Sequence, residues 1–227
     1  MQYRIIGDTM PAVEVLFDAP GESMYTQSGG MAWMTDGIAM DSNMRGGLGK
    51  SIGRMFTGES LFMATYKAER AGSMIAFAST VAGEVLAVDV GTCGGMICQK
   101  GAFLCAQETV NLNVAFTKKF SAGLFGGEGF ILQDINGSGM VFLEIDGNKV
   151  EKVLAPGEVL KVDTGNVVAF ERTVQYEIET VKGLKNIFLG GEGLFLTKLT
   201  GPGKVILQTQ NFNEFAGRII RMVPSSR

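Results

Sequence analysis

The segment GGEGFILQDINGSGMVFLEIDG, residues 126–147, contains the pattern that decides the fold. Val141, Leu143 and Ile145 occupy alternate positions, and a period of two places one apolar row on one face of a β-strand. The NGSG sequence before this row is rich in turn residues, which predicts a hairpin between two strands. We therefore expect antiparallel β-structure in this part of the chain.

The same signature occurs in three copies along the chain. The quoted copy is the second, while the first begins at Thr57 with TGESLF and the third at Gly190 with GGEGLF. Their glutamates, which are 69 and 64 residues apart, are Glu59, Glu128 and Glu192. A recurrence with a nearly constant period predicts an internal repeat.

A second landmark lies between the copies of the first. GEVLAVD at 83–89 and GEVLKVD at 157–163 agree in six of seven positions, and we expect them to be equivalent strands. A weaker Gly-Glu pair begins at Gly21. The glutamates of these pairs are interpreted as turn residues at strand starts, and they are Glu22, Glu84 and Glu158.

The repeats predict an all-β fold. We expect an antiparallel β-sandwich or barrel of three repeats around a pseudo-threefold axis, with short helical turns in the connections, because units this small bury their apolar faces only together. The expected repeats cover about 3–80, 81–147 and 148–212 of a single domain, followed by a C-terminal helix and tail over 213–227.

Two apolar features are predicted to be buried. The one tryptophan, Trp33, lies among methionines, which is typical of a core position. In NEFAGRIIRMV, residues 213–223, a helix would expose Arg218 and Arg221 and pack its other side as a lid over the end of the barrel. The apolar positions on that side are Phe215, Ile219 and Met222.

Composition excludes several classes of enzyme. The 227 residues contain no histidine, which removes the commonest general base and all Ser-His-Asp and Cys-His centres. Cys93, Cys98 and Cys105 form no C-x-x-C pair, so we expect buried, reduced thiols and no metal or cofactor. The net charge of −3 disfavours nucleic acid as a partner, and no apolar run is long enough to span a bilayer, so we expect a cytoplasmic protein.

The stretch GLGKS at 47–51 imitates a phosphate-binding loop. Such a loop also needs a glycine where this chain has Met44, and glycines soon after Ser51 would interrupt the helix that must follow. Similar connections rich in basic and apolar residues precede each glutamate signature, as in FTKKFSAGLF from Phe116 and VKGLKNIFL from Val181. We interpret GLGKS as the first copy of this connection.

The connections supply the candidate binding surface. If the repeats are equivalent, six cations emerge on one end of the molecule, where they would bind an acidic protein or an anionic membrane. In the alternative interpretation the apolar neighbours close the core and the cations only point into water. The six residues are Lys50, Arg54, Lys118, Lys119, Lys182 and Lys185.

The interleaved GG and GGEG signatures, the GEVLxVD strand and the NFNEF sequence resemble a known family. It comprises uncharacterised bacterial and archaeal proteins similar to the mitochondrial-biogenesis proteins of the altered-inheritance-of-mitochondria group. The resemblance covers about Tyr3 to Phe215 and implies a repeated antiparallel β-sandwich like that of the tryptophan RNA-binding attenuation protein. It supplies no catalytic residues, and it associates the mitochondrial relatives with inner-membrane organisation.

We therefore expect a non-enzymatic binding or scaffold protein, cytoplasmic or peripheral to a membrane, with self-association left open. One alternative is RNA binding by fold analogy, which requires exposed aromatic side chains beside arginines. Another is a carboxylate-based enzyme or metal-binding protein. The enzyme would need two carboxyl groups of divergent pKa in one cleft, and the metal site would need the repeated glutamates to converge on a hard cation.

Replacing any one of Glu59, Glu128 or Glu192 with glutamine should lower the free energy of unfolding by about 1.5–3 kcal/mol, because each carboxylate is expected to accept N–H groups of its own turn. Chemical denaturation measures this loss. Calcium or magnesium retained stoichiometrically after dialysis would contradict this structural role.

Overall fold

The computed structural model describes residues 1–27, 29–41, 63–118, 129–180 and 195–223. These residues form 19 strands, two helices and 3₁₀ turns at Lys100–Ala102 and Thr164–Asn166. The helices are α1 (Val90–Cys93) and α2 (Phe212–Met222). The strands are β1 (Gln2–Ile6), β2 (Ala12–Leu16), β3 (Ser23–Gln27), β4 (Met31–Met34), β5 (Ile38–Asp41), β6 (Met63–Ala68), β7 (Met74–Ala78), β8 (Gly83–Asp89), β9 (Met96–Gln99), β10 (Phe103–Gln107), β11 (Val110–Lys118), β12 (Phe130–Gly137), β13 (Met140–Asp146), β14 (Lys149–Leu154), β15 (Val159–Asp163), β16 (Val167–Glu171), β17 (Gln175–Thr180), β18 (Phe195–Thr200) and β19 (Gly203–Gln208).

The strands form four antiparallel sheets in two compact units, which confirms the prediction of an all-β antiparallel fold. Sheet A has the order β1-β2-β7-β4 and sheet B the order β5-β6-β3-β10-β13-β8. Sheet C has the order β11-β12-β9-β16-β19-β14 and sheet D the order β15-β18-β17. Unit 1 consists of Met1–Val90, Phe103–Val110 and Gly137–Glu144, and unit 2 of Gly91–Ala102, Asn111–Asn136 and Ile145–Arg227.

Unit 1 is a sandwich of sheets A and B. The alternate residues Val13 and Val15 of β2 and Ile75 and Phe77 of β7 supply one side of its core. The other side comes from sheet B and includes Met24, Tyr66, Cys105 and Phe142. A period of two therefore directs each apolar row into the space between the sheets, as the sequence pattern predicts.

Unit 2 is built in the same way from sheets C and D. Phe170 is completely buried in its core, where its ring centroid lies 5.4 Å from that of Tyr176 on β17. The other buried members of this cluster are Phe130, Leu132, Leu154, Val162, Val167, Val174, Leu199 and Val205. Both units therefore bury aliphatic and aromatic side chains between two antiparallel sheets.

The two six-stranded sheets share one strand order. Raising each strand number of sheet B by six gives the order of sheet C. A β-bulge also recurs, between Met31 and Trp33 in β4, Phe103 and Cys105 in β10, and Val167 and Ala169 in β16. An internal repeat would produce this regularity, and the threefold repeat with its pseudo-threefold closure stays a prediction.

The predicted equivalence of GEVLAVD and GEVLKVD is wrong. The first segment is β8, an edge strand beside β13, whereas the second contains β15, which pairs with β18. An offset of six strands relates β8 to β14 instead. Strands β8 and β15 are both edge strands of their sheets.

The hairpin predicted at NGSG is also wrong. Strand β12 pairs with β9 and β11, whereas β13, which follows the NGSG turn, pairs with β10 and β8. The turns between β6 and β7 and between β18 and β19 likewise connect different sheets. In the NGSG turn Gly137 and Gly139 have φ of 98° and 105°, a left-handed conformation that glycine adopts without strain. These turns are therefore corners between sheets.

Trp33 was predicted in the core, but 43% of its surface is exposed. The bulge in β4 explains the difference. Met31 lies opposite Phe77 and packs against the core of unit 1, while Trp33 lies opposite Ala76, the next residue of β7. Two residues that would share a face in a regular strand therefore face opposite sides of sheet A.

Replacing Phe170 with alanine should destabilise the protein by about 3–5 kcal/mol, because the lost ring leaves a cavity in a fully packed core. Urea unfolding followed by circular dichroism measures the loss. Val153→Ala is the control, since 75% of Val153 is exposed. Equal losses in the two variants would contradict the described core.

Candidate docking surface

The residues before and within α2 explain why this helix forms. Asn211 is the N-cap, and its Oδ1 accepts the Glu214 N–H at 3.3 Å. Glu214 in the first turn also accepts a hydrogen bond from Arg218, four residues later, at 2.6 Å. A capping side chain, an acid near the positive end of the helix dipole and an i,i+4 ion pair all stabilise a short helix.

Hydrogen bonds attach the start of α2 to the body of unit 2. We call this attachment the helix root and define it by Asp146, Gly165, Gln208 and Asn211. The Phe212 N–H donates to Asp146 Oδ2 at 2.8 Å, and the Gln210 N–H donates to the Asp146 carbonyl oxygen at 3.1 Å. The last residue of β13 therefore holds the first turn of the helix.

The amide of Gln208 completes the helix root. Its Oε1 accepts the Asp146 N–H at 3.0 Å, and its Nε2 donates to the Gly165 carbonyl oxygen at 2.9 Å. Gln208 is buried, so both ends of its amide replace water with protein partners. These bonds connect the end of β19 both to the end of β13 and to the 3₁₀ turn Thr164–Asn166.

Gly165 leaves the space that Asn211 occupies. A Cβ atom at residue 165 would lie 1.8 Å from Asn211 Nδ2 and 2.6 Å from Asn211 Cγ. Real Cβ atoms do not approach other atoms so closely, and therefore any larger residue at position 165 would displace the N-cap side chain.

Carboxyl groups lie close to the start of α2. Burial raises the pKa of Asp146, and the hydrogen bond from Phe212 opposes this effect. Burial also raises the pKa of Asp163, opposed by the Gly165 N–H and reinforced by the charge of Glu214. Burial therefore acts on the pKa of both aspartates, and a neighbouring charge acts on that of Asp163.

The apolar side of α2 is exposed, so the prediction of a packed lid is wrong, although the helix itself is where the sequence places it. Exposed fractions of its large apolar residues range from 44% at Phe212 to 81% at Met222. The helical stripe consists of Phe212, Phe215, Ile219 and Met222. Because the helix root holds only the first turn, nothing in these bonds draws the stripe onto a sheet. We call this stripe the apolar face of α2.

Most of the predicted site residues lie outside the described part of the chain. They are Lys50, Arg54, Lys119, Lys182 and Lys185 among the cations, and Glu59, Glu128 and Glu192 among the signature carboxylates. Lys118 is the last residue of β11. The three connections lie between β5 and β6, β11 and β12, and β17 and β18, which are neighbouring strands in each case.

The turn role predicted for two Gly-Glu pairs is confirmed. Glu22 accepts the Asp18 N–H at 2.7 Å, and Glu158 accepts the Ala155 N–H at 2.8 Å. Glu84, in contrast, lies within β8. A carboxylate that accepts hydrogen bonds from the N–H groups of its own turn stabilises that turn, which explains its presence without a ligand.

The prediction of buried cysteines is correct for two of the three. Cys98 and Cys105 are buried, and burial raises the pKa of both thiols, whereas Cys93 is exposed. Within the described ranges, no cluster of three or more cysteine or acidic side chains is arranged to hold a metal ion. In the same ranges, neither helix has the length and apolar character to cross a bilayer.

These features define a class: an antiparallel all-β protein of two-sheet units that carries an exposed amphipathic helix near its C-terminal end. The model of the family described as Mitochondrial biogenesis AIM24 matches residues 3–210. The chain belongs to this family, which confirms the resemblance seen in the sequence. The matched residues end just before α2.

Two relatives support the assignment. An uncharacterised protein of Streptococcus pyogenes serotype M6 is 28% identical over 224 residues, which cover 95% of this chain and 88% of that protein. A crystal structure of a Streptococcus pyogenes protein superposes with a TM-score of 0.78 at 25% identity, covering 98% of this chain and 99% of the other.

Replacing Gly165 with alanine should loosen the start of α2, because the new Cβ displaces Asn211. Hydrogen–deuterium exchange at residues 212–222 is expected to quicken by about tenfold, the effect of losing about 1.4 kcal/mol of local stability. Gly101→Ala is the control, since its Cβ would meet nothing closer than 3.7 Å. Unchanged exchange in the Gly165 variant would contradict the role of the helix root.

Proposed function

We propose that this chain is a non-enzymatic binding protein that docks to its partner through the apolar face of α2. The exposure of this apolar face carries the proposal. Apolar residues scattered singly on a protein surface are ordinary, whereas a contiguous exposed apolar patch is the feature that marks interaction sites. The body of the protein then serves as the scaffold that presents the helix.

The energetics of burial favour docking. Fully burying a Phe, Ile or Met side chain stabilises by about 1.5–3 kcal/mol, and the stripe has four such residues, each at least 44% exposed. Docking loses less conformational entropy than the folding of a disordered segment would, because the N-cap and the helix root hold α2 in helical form before a partner binds.

The position of α2 also suits a docking element. The helix follows β19, the last described strand, and the hydrogen bond from the Phe212 N–H to Asp146 defines where it starts. A contact made by the stripe therefore does not require any strand to leave its sheet. The relatives in Streptococcus pyogenes include a protein described only as uncharacterised, so the proposal rests on the helix itself.

Replacing Phe215 and Ile219 together with glutamine should release the protein from its partner, since glutamine keeps helix propensity and removes the apolar surface. The measurement is density-gradient sedimentation of a low-salt extract of the native cell. We expect the wild type in a larger assembly or with membranes, and the variant as the free chain.

The matched control is Val153→Thr/Val159→Thr, which changes two exposed apolar residues on β14 and β15. It should sediment as the wild type does. If the wild type itself sediments as the free chain, or if the helix variant stays in the assembly, the proposed function is wrong.

A further inference from the structure

We infer that the partner of the apolar face is an anionic lipid surface, on which α2 lies in the plane of the headgroups. This inference rests on the proposed function of α2 as the docking element. It goes further by naming the chemistry of the partner. An anionic lipid surface fits the small size of the apolar face, the distribution of charge along α2 and the greater exposure at the end of the helix.

The apolar face is small for a protein partner. A helix of 11 residues is about 16 Å long and about 11 Å across, so one of its sides is a narrow strip of surface. A stable protein interface buries about 800 Å² on each partner. A second copy of this chain, meeting the first through α2 alone, would fall well short of that area. A bilayer needs no complementary surface, because the lipids rearrange around each side chain.

The charges along α2 are separated by position. The acidic groups Asp163 and Glu214 lie at the start of the helix, and Arg218, which forms an exposed ion pair with Glu214 at 2.6 Å, follows one turn later. The sequence places a further arginine, Arg221, in the last turn. The chain as a whole has a net charge of −3, so an anionic surface repels the bulk of the protein and attracts the C-terminal half of α2.

Exposure rises in the same direction as the positive charge. On the apolar face, Phe212, Phe215 and Ile219 are about half exposed, whereas Met222, the last residue of the helix, is 81% exposed. Apolar side chains and arginines on one short helix are the features of interfacial helices, in which the apolar side enters the acyl region and the cations meet lipid phosphates. The geometry therefore orients the C-terminal half toward the bilayer.

The test is co-sedimentation of purified protein with vesicles of phosphatidylcholine alone or of phosphatidylcholine mixed with phosphatidylglycerol. The wild type should bind the anionic vesicles at least tenfold more tightly than the neutral ones, and added salt should reduce the difference. Phe215→Gln/Ile219→Gln should weaken binding to anionic vesicles at least tenfold. Arg218→Gln/Arg221→Gln should remove the preference for anionic lipid.

Two further variants identify the surface that binds. Val153→Thr/Val159→Thr should bind as the wild type does, because it changes exposed apolar residues elsewhere in unit 2. A variant in which the six cations of the connections become glutamine should also bind the anionic vesicles through α2. Binding that survives both helix variants but disappears in the six-cation variant would overturn the inference in favour of the connections.

Failure of this inference differs from failure of the proposed function. If the wild type does not bind anionic vesicles, the lipid surface is excluded as the partner of α2. The sedimentation of cell extracts then decides the rest: loss of a larger assembly in the Phe215/Ile219 variant would indicate a protein partner. Unfolding midpoints equal to that of the wild type would show that the variants act through the exposed side chains and not through the fold.

Discussion

At its corner turns the chain passes from one sheet to another, and the rest of the fold follows from this constraint. Strands β6 and β7, β12 and β13, and β18 and β19 are consecutive but belong to different sheets. Each sheet must therefore be completed by strands from distant parts of the sequence, such as β3 with β10 and β9 with β16. The core between the sheets forms only when these distant pairs have formed, so the fold relies on non-local contacts.

The same constraint positions the helix root. Because β14 pairs with β19, the turn after β13 brings Asp146 next to Gln208 and Gln210 at the end of the last strand. At this junction the side chains of Asp146, Gln208 and Asn211 all make hydrogen bonds to the protein. The chain then continues as the capped helix α2. The four residues of the apolar face of α2 are each at least 44% exposed.

The sequence predicts where strands and helices lie along the chain better than it predicts which strands pair in a sheet. Periodicity placed β13 and α2 almost to the residue, because it reports which side of an element is apolar. It could not assign β12 and β13 to different sheets, since both a hairpin and a corner use Gly and Asn. The bulge that exposes Trp33 leaves no mark in the local pattern, and an amphipathic helix looks the same whether its apolar side is covered or free. The Asn211 cap with Glu214 three residues later was readable as a helix start, whereas the role of Asp146 arises only from tertiary contact.

We infer contact of α2 with an anionic lipid surface through its apolar face, with the strands unchanged, and hydrogen–deuterium exchange of the wild-type protein with and without anionic vesicles measures this contact. Exchange at residues 212–222 should slow with anionic vesicles only, and exchange in the buried strands of both units should not change. Exchange at α2 that is the same with and without vesicles, or protection that appears only in the strands, would contradict it.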